Sequence, residues 1–186
     1  MAAFFILSTL SYAEDIYQID PAQSSIQCSI KYTLIGRYNA RFETFGGTIN
    51  FNPKKFTQSR IQLAIKTESL KSKFSTLDRM ARSKRLLDAA QFPEMTFQSN
   101  ALEQKEDQFF ITGVFNLHGV TKELTLPFTM QGPFKDDQGR DYLLATGIWR
   151  INRKDFKVIW SQTLDHGGII VGDTVTIRWE IVAVKK

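Results

Sequence analysis

The chain has 186 residues, 42% hydrophobic and 12% aromatic, with a formal net charge of +5 and one cysteine. That length and apolar content suit one domain with a sizeable core, with nothing that reads as a linker or repeat, and a lone cysteine excludes an internal disulfide. The positive charge admits an anionic surface or ligand, but most phenylalanines fall on apolar strand faces and not on a basic exposed platform, which argues against nucleic acid.

The first segment, Met1–Ala13, carries an apolar run through Leu7 and closes on Ser11-Tyr12-Ala13, followed by Glu14-Asp15. Small residues at the two positions a signal peptidase inspects make residues 1–13 resemble an export signal, one with no basic residue ahead of its apolar run. On this reading residues 14–186 form the mature domain, periplasmic or secreted. The run is too short to span a bilayer, and no later stretch qualifies.

Beyond it, alternation of apolar and polar residues predicts strands at Ile16–Ile19, Ser24–Thr33, Arg41–Phe51 and Ile61–Lys66. In the second of these Ile26, Cys28, Ile30 and Tyr32 share one face while Gln27, Ser29 and Lys31 take the other. A helix is expected over Ser75–Asp88, where Leu77, Met80, Ala81 and Leu87 fit one packed face and Ser75 or Thr76 would cap the start. Strands resume at Met95–Leu102, Gln108–Leu117, Lys122–Gln131, Tyr142–Asn152 and Thr174–Val184. Turns are read at Asn52-Pro53, Phe92-Pro93, His118-Gly119, Asp136–Gly139 and His166-Gly167-Gly168.

One oily and one wet face per strand predicts an antiparallel sheet curled on its oily side into a barrel or sandwich, and a small barrel of this kind holds a greasy ligand. Alternation alone does not say which face is inside. Short turns, the single helix and the density of Lys, Arg, Glu and Gln on the wet faces favour an apolar interior over a membrane barrel with a polar lumen. The residues expected to line that interior are Ile30, Tyr32, Leu63, Phe97, Ile111, Phe115, Leu126, Phe128, Trp149, Ile177 and Trp179; the plain alternative is that they fill a solid core.

Lys71, Lys73, Arg79, Arg82, Lys84 and Arg85 form the densest basic stretch. If the helix sits at the barrel mouth, Arg79, Arg82 and Arg85 would meet an anionic headgroup or an anionic lipid surface, against the plainer reading of a solvated helix face. Signs of catalysis are weak. His118 and His166, the only histidines, each adjoin a glycine and read as loop-exposed, and no spacing joins either to Cys28 as a metal set or a nucleophile–base pair. Cys28, on the apolar face, reads as a small buried hydrophobe. Asp155, flanked by Arg150 and Arg153, reads as an ion pair fastening a barrel end. No catalytic group, metal or cofactor is assigned.

Several segments together resemble the YceI-like family of exported, lipocalin-like polyisoprenoid-binding proteins. They are Tyr17-Gln18-Ile19-Asp20-Pro21 with Ser24-Ser25-Ile26, Leu87–Pro93 with Met95–Ser99, Gly113–Lys122, Ile151–Phe156 and Val171–Val175, in that order, over nearly all of Ile16–Lys186. The chain departs from the family pattern at Gln23, Tyr32, Cys28 and Leu77–Ala81, positions that bear on the cavity and its mouth. The resemblance implies an all-β fold, an antiparallel lipocalin-like barrel of about eight strands with one α-helix, around an apolar tunnel. It further implies a polyisoprenoid chain as ligand, of quinone or prenyl phosphate type, held for transport or storage. The expected partner is that lipid, with transient membrane-surface contact and no nucleic acid. The alternatives are a lipid-modifying enzyme using the same cavity and a ligand-free, stress-related interaction module.

Overall fold

The computed structural model describes residues 15–32, 36–106, 108–159 and 171–186. The expected export segment at residues 1–13, the start at Glu14, Thr33 and the His166-Gly167-Gly168 turn lie outside them. The strands are β1 (Asp15–Ile19), β2 (Ser25–Tyr32), β3 (Gly36–Phe42), β4 (Phe45–Phe51), β5 (Arg60–Lys66), β6 (Leu70–Lys71), β7 (Glu94–Lys105), β8 (Gln108–Leu117), β9 (Val120–Lys135), β10 (Asp141–Asn152) and β11 (Val171–Lys185), with helix α1 (Ser75–Arg82) between β6 and β7.

All eleven belong to one antiparallel sheet, ordered β1-β4-β5-β7-β8-β9-β10-β11-β2-β3-β6, and β1 also pairs with β11, so the sheet closes. Consecutive short strands act as single staves: β1 and β2 lie one after the other along β11, β4 and β3 lie beside them, and β5 and β6 come next. The result is an eight-stave barrel, as the family resemblance implies, with the apolar interior that the short turns, the single helix and the charged wet faces favour. Closure removes most of the sheet edge; what is left is short, β6 pairing only with β3 and meeting it only at Arg41 and Phe42.

The interruptions have a cause in side-chain phase. Phe42 and Phe45 are both buried, yet they stand three apart, which a continuous strand of period two cannot place on one face. The stave expected at Arg41–Phe51 therefore breaks at Glu43-Thr44 and extends back to Gly36. Between β1 and β2 the Ser24 hydroxyl accepts from Val182 N at 2.9 Å and so holds the break against β11.

The helix is shorter than its periodicity predicts. It stops at Arg82, where the Ser83 N–H and hydroxyl both donate to Met80 O, and Leu87 N and Ala89 N return to Ala81 O and Arg82 O. Neither Ser75 nor Thr76 caps it: the N-cap residue is Phe74, with no side-chain bond. None of the described helices is long and apolar enough to cross a membrane.

The barrel ends differ. At the end formed by the start of β1 and the close of β11, Tyr17 and Ala183 are 0% exposed and Leu143 is 1% exposed. The opposite end carries α1, the His118-Gly119 turn, and the β2 and β11 ends that flank the undescribed residues.

Candidate functional site: an apolar cavity beneath the helix

Within the barrel lies a cavity of about 200 Å³. A single water needs only about 10–15 Å³ on this scale, so the void is large enough for a chain-like ligand. Apart from Cys28 and Arg153 its lining is apolar or aromatic, drawn from the barrel staves and from Leu77, Met80, Ala81, Leu86 and Leu87 of α1 and the turn after it. A lining with so few hydrogen-bonding groups offers ordered water little to bind.

Burial locates the open part. Cys28, Ile30 and Tyr32 on β2, Leu63 on β5, and Val175, Ile177 and Trp179 on β11 pack against the core yet stay half-buried. Inward side chains keep accessible surface only where they border a void. Further along β11, Ile181 is 6% exposed and Ala183 0% exposed. The cavity thus lies toward the helix end, against β2 and β11, and the far end is filled.

An aromatic shelf forms one wall. Phe97 and Trp149 have ring centroids 5.5 Å apart, Trp149 and Trp179 meet edge-on at 5.3 Å, and Phe128 lies 6.5 Å from Trp179. The shelf depends on two inward glycines. A Cβ on Gly147 would fall 2.5 Å from the Trp179 ring, and one on Gly113 would fall 2.6 Å from Phe97 Cζ. The absent side chains make room for the rings. The indole N–H groups of Trp149 and Trp179 are buried without a hydrogen-bond partner among the described residues.

At the mouth, α1 is fastened by a buried carboxylate. Asp78, 3% exposed, accepts from Tyr38 Oη at 2.7 Å, Ser72 Oγ at 2.6 Å and Ser72 N at 3.0 Å. Burial pushes its pKa up, but these hydrogen bonds outweigh it and the carboxyl sits below its ordinary value. Burial, then the hydrogen bond to Asp78, raises the Tyr38 phenol. On the β10 side, Phe156 packs edge-on against Phe115 at 5.5 Å. Arg153, 4% exposed, donates to Val158 O at 2.6 Å and Gly172 O at 2.9 Å and pairs with Asp173 at 3.1 Å.

Of the residues expected to line the interior, Ile30, Tyr32, Leu63, Phe97, Ile111, Phe115, Phe128, Trp149, Ile177 and Trp179 all border the cavity. Leu126 does not: it is 8% exposed, paired with Ile111 across β8 and β9, and packed into the core. Arg79 and Arg85 are exposed, Arg85 beyond the helix end. Arg82 instead donates to Glu68 O at 2.9 Å and Asp78 O at 3.3 Å, tying the helix to the preceding turn. The fastening expected of Asp155 belongs to Asp173; Asp155 meets Lys122 at 3.5 Å on the surface. The His118 ring is half-buried and packs 4.5 Å from the Phe92 ring, so it is not a free loop imidazole. His166 is outside the described residues. Sequence reasoning missed the roles of Tyr38 and Asp78. The signal was available: Asp78 interrupts the packed face of a helix, where a carboxylate needs partners.

Burial raises the Cys28 thiol to about 12, the behaviour of a small core residue. No group of three or more metal-ligating side chains occurs among the described residues.

A closed antiparallel barrel around an apolar cavity defines a lipocalin-like, small-ligand-binding class of fold. The chain belongs to the YceI-like family, whose domain matches residues 17–183. A UPF0312 protein of Vibrio parahaemolyticus is 30% identical over 145 residues, covering 76% of this chain and 77% of the relative. Protein YceI of Salmonella arizonae is 32% identical over 117 residues, covering 63% and 61%. Among solved structures, BcnA of Burkholderia cenocepacia superposes with a TM-score of 0.77 at 24% identity, over 88% of this chain and 98% of that one. A polyisoprenoid-binding domain from Saccharophagus degradans, implicated in plant cell wall breakdown, does so with a TM-score of 0.69 at 14% identity, over 91% and 98%.

Proposed function

We propose that the protein is an exported, periplasmic carrier or store for a polyisoprenoid lipid of quinone or prenyl phosphate type, with the tail in the barrel and the head toward α1. The observation that carries this reading is the cavity itself, whose lining is almost wholly apolar and which lies beneath the helix. Each five-carbon isoprene unit moved from water into such a lining contributes about 3–4 kcal/mol, at roughly 0.8 kcal/mol per CH₂, before the cost of ordering its bonds. Binding of a long tail thus needs no polar contact and no catalytic group.

The polyisoprenoid-binding domain of similar fold supports this ligand class. Against the enzyme alternative, the titratable groups bordering the cavity among the described residues are Cys28, Tyr32, Tyr38 and Arg153. Cys28 is held as the neutral thiol, Tyr38 is engaged by Asp78, and Arg153 is engaged by backbone carbonyls.

Titration of delipidated protein with prenols of increasing length tests the reading through the fluorescence of the tryptophans. Affinity rises with each added unit and levels off once the cavity is full. A response independent of chain length would count against it.

A further inference from the structure

We infer that the helix end of the barrel is a docking surface for an anionic lipid bilayer, with Phe74 as its apolar anchor. From the preceding reading this takes only that lipid passes the mouth beneath α1.

From Leu70 to Leu87 the single acidic residue is Asp78, which is buried and held by Tyr38 and Ser72. Toward solvent the segment is therefore wholly cationic. Lys71, Lys73, Arg79, Lys84 and Arg85 are exposed, and among the described residues only Lys71 of these takes an ion pair, with Glu43 at 3.2 Å. Phe74 stands among them, 46% exposed, with Lys73 Nζ 5.1 Å from its ring centre.

The opposite end has most of its strand-borne cations matched: Lys185 with Asp15, Lys135 with Asp141 and Arg140 with Asp136, each at 2.7 Å, and Lys105 with Glu103 at 3.0 Å, while Lys55, Arg60 and Lys186 are exposed there with no ion pair among the described residues. What sets the mouth apart is that its unpaired cations lie in one short segment without an exposed carboxylate and share it with an exposed phenyl ring. An exposed phenyl ring in a segment of exposed lysines and arginines is the composition that adsorbs to an anionic membrane interface, the ring entering the acyl boundary and the cations meeting phosphates. A nucleic-acid platform would instead present several stacking rings. The same helix lines the cavity with Leu77, Met80 and Ala81, so adsorption by this face sets the cavity directly against the lipid.

The test is sedimentation with vesicles of phosphatidylcholine alone and of phosphatidylcholine doped with phosphatidylglycerol, at low and high salt. The wild-type chain should bind the doped vesicles, bind the neutral ones weakly, and lose most binding at high salt. Replacing Lys73, Arg79, Lys84 and Arg85 with Gln should lower partitioning by about a hundredfold, and Phe74→Ser by about tenfold on both vesicle types. Replacing Lys105, Lys135, Arg140 and Lys185 with Gln changes net charge equally at the far end and should leave binding nearly intact. Thermal unfolding of each variant confirms that it is folded. Equal binding to both vesicle types, an equal loss in the far-end variant, or salt-sensitive binding to single-stranded DNA without vesicle binding would each overturn the inference. Lipid retained in the cavity is measured separately, so adhesion and carriage can fail independently.

Discussion

Tyr38 on β3 and Asp78 on α1 share a 2.7 Å hydrogen bond that joins the barrel wall to the helix over its mouth. Because Asp78 is buried, its loss strands three donors, the Tyr38 hydroxyl and the hydroxyl and N–H of Ser72. Asp78→Ala should destabilise the protein by about 2–3 kcal/mol, and Tyr38→Phe, which leaves the Ser72 bonds in place, by about 1 kcal/mol. Chemical denaturation measures both. The carboxyl lies below its ordinary value, so its contribution is complete above the ordinary carboxylate pKa and is lost as pH falls through the depressed one. The acid midpoint of wild-type protein should accordingly lie lower than one at the ordinary carboxylate pKa, and Asp78→Asn should flatten the stability profile there. An unchanged acid limb in Asp78→Asn would show that the bond does not control the mouth.

Ile177 and Leu126 separate cavity from core. Ile177 borders the void and is half-buried, so Ile177→Asp should fold yet lose affinity for a long prenol by at least about a hundredfold, since the carboxylate would have to shed its hydration to admit the tail. Leu126→Ala, in the packed wall away from the void, should cost about 2–4 kcal/mol of stability and change affinity less than threefold. Similar affinity in Ile177→Asp and wild type would place the tail elsewhere.

Gly147 is where Trp179 needs space. A Cβ there would sit 2.5 Å from the ring, so Gly147→Ala must displace the indole and is expected to cost about 1–3 kcal/mol and shift the tryptophan emission. If stability and emission are unchanged, the shelf is looser than its geometry implies.

Much of this arrangement could be read from the chain, and the exceptions have physical reasons. Alternation located the long staves because burial on one face enforces period two; it also placed Trp149 and Trp179 on the inner wall. It failed where phase slips, as between Phe42 and Phe45, because a break of two residues looks like a continuous strand in sequence. Leu126 and Ile111 are indistinguishable by pattern, and only the barrel's curvature decides which one borders the void. Arg82 read like Arg79 and Arg85 because nothing local reveals that the carbonyl of Glu68 lies within its reach. The helix was overextended because Leu86 and Leu87 keep facing the cavity after the chain has left helical geometry.

Cys28 supplies an internal reporter. With its thiol raised to about 12, only about one molecule in ten thousand is thiolate at pH 8, so maleimide labelling of the folded protein should be slower than that of the unfolded chain by on the order of a thousandfold. A bound prenol should slow it further, because Cys28 borders the cavity. Rapid labelling of the folded protein would contradict the raised thiol.

The central claim is that the cavity holds an isoprenoid chain, and mass spectrometry of an organic extract from natively purified protein tests it most directly. The expected result is one isoprenoid-bearing lipid per protein chain in wild type and a marked loss of it in Ile177→Asp purified alongside. An extract with no stoichiometric lipid, or one dominated by a lipid without isoprene units, would contradict the account.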